Sequence, residues 1–130
     1  MLKVSHNFFF EQLPLSSRKE INEAKNKLKA IVEPMVEEYS KKIGVVPLTI
    51  KYCKLSSRFG ICDIKSRSIS FSVYVLLLPY WCKEYIVVHE LCTLMEPSNN
   101  VHINFLMDKY LPQWREIRKE IIRISKIPIS

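Results

Sequence analysis

The amino-acid sequence predicts an α+β domain: a long N-terminal helix, a small and mostly antiparallel sheet of three to four strands, and further helices towards the C-terminus. Apolar residues first recur at helical intervals along the chain. Short segments with alternating apolar and polar residues follow, and then a second region in which apolar residues recur at helical intervals. Helices and strands in separate blocks are typical of α+β domains. With 130 residues, the chain fits one domain over residues 1–130, in which we expect residues 1–15 to be a flexible N-terminal segment.

The long N-terminal helix has recognisable start and stop signals. Ser17 and Glu20 have the S-x-x-E spacing of a capping box, in which each side chain satisfies a backbone N–H near the other residue. Apolar residues then recur at helical intervals. These residues are Ile21, Ala24, Leu28, Ile31, Met35 and Tyr39. We expect the helix to be kinked or broken at Pro34 and to stop near Gly44.

Alternating apolar and polar residues in the middle of the chain predict strands with one buried face, over residues 48–54 and 66–73. The buried face of the first strand would consist of Leu48, Ile50 and Tyr52. Residues 57–62 lie between the two segments and predict another short strand. Together, these strands would form the small sheet.

Two helical segments follow the predicted sheet. Pro79 suits the first turn of a helix, and an apolar stripe continues from Tyr85 to Met95. Residues 102–124 again have a helical period, which Pro112 interrupts. The tryptophans of these segments, Trp81 and Trp114, are interpreted as core or helix-packing residues.

The sequence predicts a cytoplasmic protein without a membrane span. Its longest apolar run, residues 73–82, is shorter than the roughly 20 residues that a membrane helix needs. The N-terminus also lacks the apolar run of a signal peptide. Four cysteines without a C-x-x-C pair favour reduced thiols, and the alternative is a disulfide between Cys53 and Cys62. Only two glycines and many Ile, Lys and Glu residues favour a thermophilic origin.

The net charge of +7 favours acidic partners, including nucleic acid. Lysines alternate with glutamates along the helical segments, however, which is typical of solvated helix faces. A basic nucleic-acid-associated module therefore stands as an alternative function. The residues that could form its positive face are Arg58, Lys65, Arg67, Arg115, Arg118, Lys119 and Arg123.

The most informative motif lies on the helix that follows Pro79. His89 and Glu90 match the start of an H-E-x-x-H motif, in which two histidines four residues apart hold zinc and the glutamate serves as general base. Thr93 occupies the position of the second histidine. A threonine hydroxyl is a poor zinc ligand compared with imidazole.

Further segments surround this motif in the order and approximate spacing of a known family. They are residues 57–62 (SRFGIC), 68–72 (SISFS), 76–79 (LLLP), 85–92 (YIVVHELC), 96–97 (EP) and 109–112 (KYLP). Over residues 40–118, the pattern resembles the YgjP-like zinc metallopeptidase family, which is similar to gluzincin-type and SprT-like zinc peptidases. The resemblance implies a metallopeptidase-type active-site helix and a C-terminal helix packed with a small sheet.

The family pattern has two helix histidines, a catalytic glutamate and a third histidine after a Glu-Pro turn. The resemblance implies that His89 is a zinc ligand and that Glu90 is the general base. It places the second ligand at Thr93. The third falls on Asn99 by simple counting, or on His102 if the loop carries a two-residue insertion. Thr93 and Asn99 would thus be positions at which a ligand has been lost.

A catalytic zinc needs three protein ligands, and His89 and His102 make only two. Cys92 is a candidate for the third, because it lies three residues after His89 on the helix and a thiolate binds zinc well. The alternative is that Cys92 is a small buried residue of the apolar stripe. A two-ligand site would bind zinc weakly or not at all and would activate water poorly.

Three functions follow as alternatives. The first is a degenerate metallopeptidase-like domain that is retained for binding a peptide or protein partner by strand addition at the sheet edge. The second is an active zinc-dependent peptidase with an atypical ligand set. The third is the basic nucleic-acid-associated module. The sequence gives no indication of the oligomeric state.

Overall fold

A computed structural model of the chain describes residues 6–127 and residue 129, except for the side chains of residues 6–8. The predicted α+β class is confirmed. The elements in chain order are α1 (His6–Glu11), α2 (Arg18–Ile43), β1 (Thr49–Cys53), β2 (Gly60–Asp63), β3 (Ser68–Ser72), a 3₁₀ helix (Val73–Leu77), α3 (Tyr80–Met95), α4 (Asn100–Tyr110) and α5 (Trp114–Ser125). None of the described helices is both long and apolar enough to cross a bilayer.

Helix α2 begins and ends where the sequence predicts. Ser17 accepts a hydrogen bond from the backbone of Glu20, and the Glu20 carboxylate accepts one from the backbone of Ser17, which completes the capping box. Gly44 ends the helix in the left-handed conformation, with φ of 88°. Of the kink or break expected at Pro34, the break is wrong, because the 26-residue helix runs unbroken through Pro34. Pro34 is exposed, whereas the residues after it bury the apolar face of the helix.

The sheet is mixed. Strand β3 lies in the centre and pairs with β1 in parallel and with β2 in antiparallel register. Strands β2 and β3 form a hairpin, and β1 occupies the opposite side of β3, so only one of the two pairings is antiparallel. The expectation of a mostly antiparallel sheet is therefore corrected. Leu48 is also 74% exposed, because it precedes β1 instead of lying on its buried face.

The core lies between the sheet and the helices, and nine of the sixteen residues of α3 are buried. Helix α2 packs on α3 and on the 3₁₀ helix, while α3 also contacts β2, α4 and α5. Within the segment that was expected to be flexible, residues 6–11 form α1, and Phe9 packs edge-on against Phe59. Residues 1–5 lie outside the described part of the chain.

Two side-chain expectations are resolved by the packing. Cys53 and Cys62 lie on β1 and β2, which β3 separates, and all four cysteines are free thiols. The alternative of a disulfide is therefore wrong. Trp114 is buried as expected and donates its indole N–H to Asp108, but Trp81 is 44% exposed on the first turn of α3.

Candidate functional site

Helix α3 carries the His-Glu pair past β2, one of the two edge strands of the sheet. Pro79 starts the helix, and its apolar residues pack on several neighbouring elements. Glu90 is the one charged residue among the buried residues of α3, with 8% of its surface exposed. A carboxylate is costly to bury without polar partners. The surroundings of the Glu90 carboxylate therefore define the candidate site.

A cavity of about 190 Å³ lies beside this pair. One wall is the segment that leads into β2, residues 57–60, and the other is the face of α3 that carries Ile86, His89 and Glu90. Ile129, which follows α5, completes the lining. The cavity therefore combines apolar walls with a histidine, a carboxylate and the exposed guanidinium of Arg58.

His89 is held by two contacts. Its ring stacks on Tyr85, one helical turn earlier, with centroids 5.6 Å apart and planes 12° apart. Its Nδ1 lies 3.3 Å from Oε2 of Glu90, which provides a polar partner for the buried carboxylate. The two side chains thus form one polar unit at the cavity.

The electrostatics around this unit are set mainly by burial. Burial raises the pKa of Tyr85 to about 12, the positive charge of Arg118 opposes the rise, and the negative charge of Glu90 adds to it. Burial also raises the pKa of the Cys62 thiol on β2 to about 11, with further contributions from Glu90 and Asp63. Tyr85 and Cys62 are therefore neutral at pH 7.

Thr93, at the predicted position of the second helix histidine, turns its hydroxyl back onto its own helix. Its Oγ1 donates a hydrogen bond to the carbonyl of His89 at 2.8 Å. This i to i−4 bond is a common way for a helical threonine to satisfy its hydroxyl. The hydroxyl of Thr93 is thus satisfied within its own helix.

His102 lies outside the cavity lining. It sits in the first turn of α4, where Asn99 caps the helix by accepting the His102 backbone N–H at 3.1 Å. The His102 ring, with 59% of its side chain exposed, is 3.2 Å from the Asn99 amide nitrogen and 3.6 Å from the Glu96 carboxylate. Asn99 and His102, the two predicted positions of the third ligand, therefore contact each other.

Cys92 is completely buried on α3, as the apolar-stripe alternative expected. Burial raises the pKa of its thiol to about 12. The thiolate is the form that binds zinc, and this environment disfavours it. Cys92 is also absent from the cavity lining.

The potential metal ligands of the site fall short of what a catalytic zinc requires. Among the residues that the structure describes, no three His, Cys, Asp or Glu side chains form a group able to hold a metal ion. A catalytic zinc needs three protein ligands. The described donors therefore do not fit the zinc centre that the family pattern implies. His89 and Glu90 are brought together, whereas His102 and Cys92 are not placed with them.

Sequence reasoning missed two residues of this site. Gly60 packs so closely on Glu90 that a Cβ there would lie 2.8 Å from the Glu90 Cγ. The signal was present, since an isolated glycine in a strand often marks a close approach. Ile129 reaches the cavity from the end of the chain, and nothing in the local sequence pattern predicts that position.

The fold and the His-Glu helix define a metallopeptidase-type domain. The family described as YgjP-like, metallopeptidase domain, matches residues 10–123. The chain therefore belongs to the YgjP-like metallopeptidase family, as its sequence pattern predicts.

A solved structure has the same fold. It is the crystal structure of the metallopeptidase zymogen of Pyrococcus abyssi abylysin, with a TM-score of 0.69 and 20% sequence identity. The similarity covers 76% of this chain and 99% of the abylysin chain. Comparison with curated protein sequences found no match.

Proposed function

We propose that this chain is a metallopeptidase-like domain that binds extended peptide segments beside α3 and does not hold a catalytic zinc. The observation that carries the proposal is the state of Thr93: at the position of a histidine ligand stands a hydroxyl that bonds to the carbonyl of its own helix. His89 and Glu90 keep the cavity polar, but a lone helix histidine does not provide a zinc site.

The edge of the sheet supports peptide binding. Within the described residues, β2 pairs with β3 alone, so its outer edge is free. The Phe59 carbonyl accepts from Ser72, in register with the β2–β3 ladder. Because antiparallel bonding alternates, the N–H and C=O groups of Gly60 and Cys62 point away from β3. An extended peptide could add to this edge as a further strand, next to the cavity.

The direct test measures binding and hydrolysis on the same sample. A fluorescent peptide of eight apolar and neutral residues is titrated with the protein, and its anisotropy is followed together with the appearance of cleaved product. A matched peptide with N-methyl groups on alternate residues cannot donate to the strand edge. We expect binding of the first peptide, loss of binding for the second, and no cleavage with or without added zinc. Equal binding of both peptides would remove strand addition from the proposal.

An active zinc peptidase is the competing proposal, because His89 and Glu90 both line the cavity. In that case Glu90 would activate water and His89 would contribute one metal ligand. Zinc-dependent cleavage of the peptide that the Glu90→Gln substitution abolishes, with the metal content unchanged, would establish this reading and overturn ours.

Nucleic-acid binding stays a prediction with less support. The seven basic residues of the predicted face lie on three separate segments of the chain, and most of those on α5 have acidic neighbours. The pairs are Arg115 with Asp108, Lys119 with Glu116, and Arg123 with Glu120. Salt-sensitive binding to DNA or RNA at low ionic strength would restore this alternative.

A further inference from the structure

A second groove lies at the other edge of the sheet, beside β1. It has a volume of about 630 Å³ and is lined by residues of α2 between positions 33 and 41 and by residues 46–50, which lead into β1. Val46 and Leu48 in this lining are large apolar residues with exposed side chains. The lining also includes Ser40, whose buried hydroxyl has no hydrogen-bond partner among the described residues. This β1 groove therefore combines exposed apolar side chains with a hydroxyl that lacks a partner.

The outer edge of β1 offers backbone groups beside the groove. Within the part of the chain that the structure describes, β1 pairs with β3 alone. Leu48 donates its backbone N–H to the Arg67 carbonyl, on the side of β3. Because the backbone groups of successive residues in a strand point to alternate sides, the N–H and C=O groups of Thr49 and Lys51 point away from β3. An extended chain can add to these groups as a further strand.

The two faces of β1 differ in their chemistry. The Tyr52 hydroxyl donates to the Glu33 carboxylate of α2, so Ile50, two residues earlier, also lies on the face towards α2. Thr49 and Lys51 lie on the opposite face and are exposed. The side chains of an added strand alternate in the same way. One set therefore meets the apolar groove, and the other set meets Lys51.

Lys51 carries the unpaired charge of this edge. Its ammonium group has no ion pair and no hydrogen bond among the described residues. The acidic residues of the groove, Glu33 and Glu37, are paired with lysines of their own helix at 4.0 and 3.5 Å. Asp63, on the same face of the sheet as Lys51, accepts backbone N–H groups of the turn after β2. A carboxylate placed opposite Lys51 by a bound chain would therefore gain a pairing that this chain does not supply.

We propose that the outer edge of β1 binds an extended segment of a partner protein in which apolar residues alternate with acidic residues. The apolar side chains enter the β1 groove beside Leu48, and the acidic side chains lie opposite Lys51. Burial of the apolar side chains provides affinity, and the opposite charges select the partner. A second copy of this chain fits less well, because antiparallel pairing centred on Lys51 would place two lysines directly opposite each other. The inference is independent of the proposed function, which concerns the edge of β2.

The experiment measures the affinity of three peptides for the full chain. Each is a fluorescein-labelled peptide of eight residues in which valine alternates with glutamate, serine or lysine, and its binding is followed by anisotropy. We expect the glutamate peptide to bind, the serine peptide to bind about fivefold more weakly, and the lysine peptide to bind at least about tenfold more weakly. A glutamate peptide that is N-methylated throughout keeps its charges but has no backbone donors, and it should not bind.

Variants of the chain locate the binding site. Lys51→Glu should weaken binding of the glutamate peptide by about tenfold and should make the lysine peptide the better ligand. Lys19→Glu makes the same change of charge at an exposed position in the first turn of α2, so at physiological ionic strength it should leave the affinity unchanged.

A second pair of variants tests the apolar contact. Leu48→Ser should weaken binding of the glutamate peptide by about tenfold, because it removes exposed apolar surface that the peptide would cover. Val101→Ser changes a similarly exposed apolar residue of α4 and should have no effect. The neutral peptide of the earlier test should bind the Leu48→Ser chain as it binds the parent, because that peptide adds to β2.

Four results would overturn the inference. The first is a lack of binding of the glutamate peptide, and the second is an equal affinity of the parent and the Lys51→Glu chain for it. The third is binding of the N-methylated peptide, which would exclude strand addition. The fourth is a dimer of the parent chain in sedimentation velocity that Leu48→Ser dissociates, because a second copy would then occupy the groove. The proposed function is tested by the neutral peptide and stands or falls separately.

Discussion

The carboxylate side chain of Glu90 packs directly against the backbone of Gly60 on β2. A Cβ at residue 60 would lie 2.8 Å from Cγ and 3.0 Å from Cδ of Glu90. Glycine at this point of the strand is therefore a steric requirement of the buried glutamate. Gly60 and Glu90 both line the cavity beside this contact.

The Gly60→Ala substitution should destabilise the protein by about 1–3 kcal/mol, as expected for overpacking of a well-filled interior. Strand propensity alone predicts the opposite sign, because glycine weakens a strand. In a Glu90→Ala background, the same substitution should cost much less, since the clashing side chain is gone. Urea denaturation of the parent, the Gly60→Ala variant, the Glu90→Ala variant and the double variant measures this coupling. A cost that is equal in both backgrounds would show that Glu90 is not the residue that excludes a side chain at position 60.

The Thr93→His substitution should strengthen zinc binding by more than about tenfold, since even outer-shell partners of zinc ligands change the affinity by that factor. The new imidazole would lie one helical turn from His89 on the same face of α3. Thr93→Val is the control, because it removes the hydroxyl without supplying a ligand. Zinc affinity is measured by competition with a chromogenic chelator. Similar affinities for the histidine and valine variants would mean that α3 cannot present two ligands together.

Pro34→Ala should stabilise the protein by about 1–3 kcal/mol. Proline in the middle of α2 removes one backbone hydrogen bond, and alanine restores the donor at an exposed position. The loss of proline also gives the unfolded chain more freedom, which offsets part of the gain. Glu23→Ala, an exposed change in the same helix, should stay within about 0.5 kcal/mol of the parent. Thermal denaturation of both variants decides the matter, and a lower midpoint for Pro34→Ala would contradict the prediction.

The contact between α4 and α5 should weaken in acid through Asp108. Hydrogen bonds from the Trp114 indole and from Arg115 lower the pKa of Asp108 below its ordinary value of 3.8. A lowered pKa in the folded state gives stability that is present above pH 3.8 and is lost as the pH falls through the lowered pKa. Asp108→Asn, which keeps an acceptor oxygen but removes the charge, should therefore be less stable than the parent at pH 7.

The stability difference between the parent and Asp108→Asn should then shrink as the pH falls below 3.8. Urea denaturation at a series of pH values measures it. A difference that is constant with pH would mean that the charge of Asp108 contributes nothing to stability.

Local sequence patterns were sufficient to predict most of the helices and the family of the chain. The capping box at Ser17, the left-handed cap at Gly44 and the start of α3 after Pro79 depend on residues a few positions apart, so they can be predicted from sequence. Pro34 was an exception, because burial of one face of α2 outweighs the loss of one hydrogen bond. The spacing of the segments around His89 predicted the YgjP-like family, which the family match confirms.

The arrangement of the site was decided by tertiary packing. The order β1-β3-β2 separates Cys53 from Cys62, and the burial of Glu90 against Gly60 joins residues that are distant in the chain. Ile129 reaches the cavity because Ile127 is buried in the core and Arg118 holds the Ile129 carbonyl. Periodicity reports which face of an element is apolar, but the neighbours of that face depend on the packing of the whole chain. The identity of the His-Glu helix was therefore readable in the sequence, whereas the contents of the cavity beside it required the folded structure.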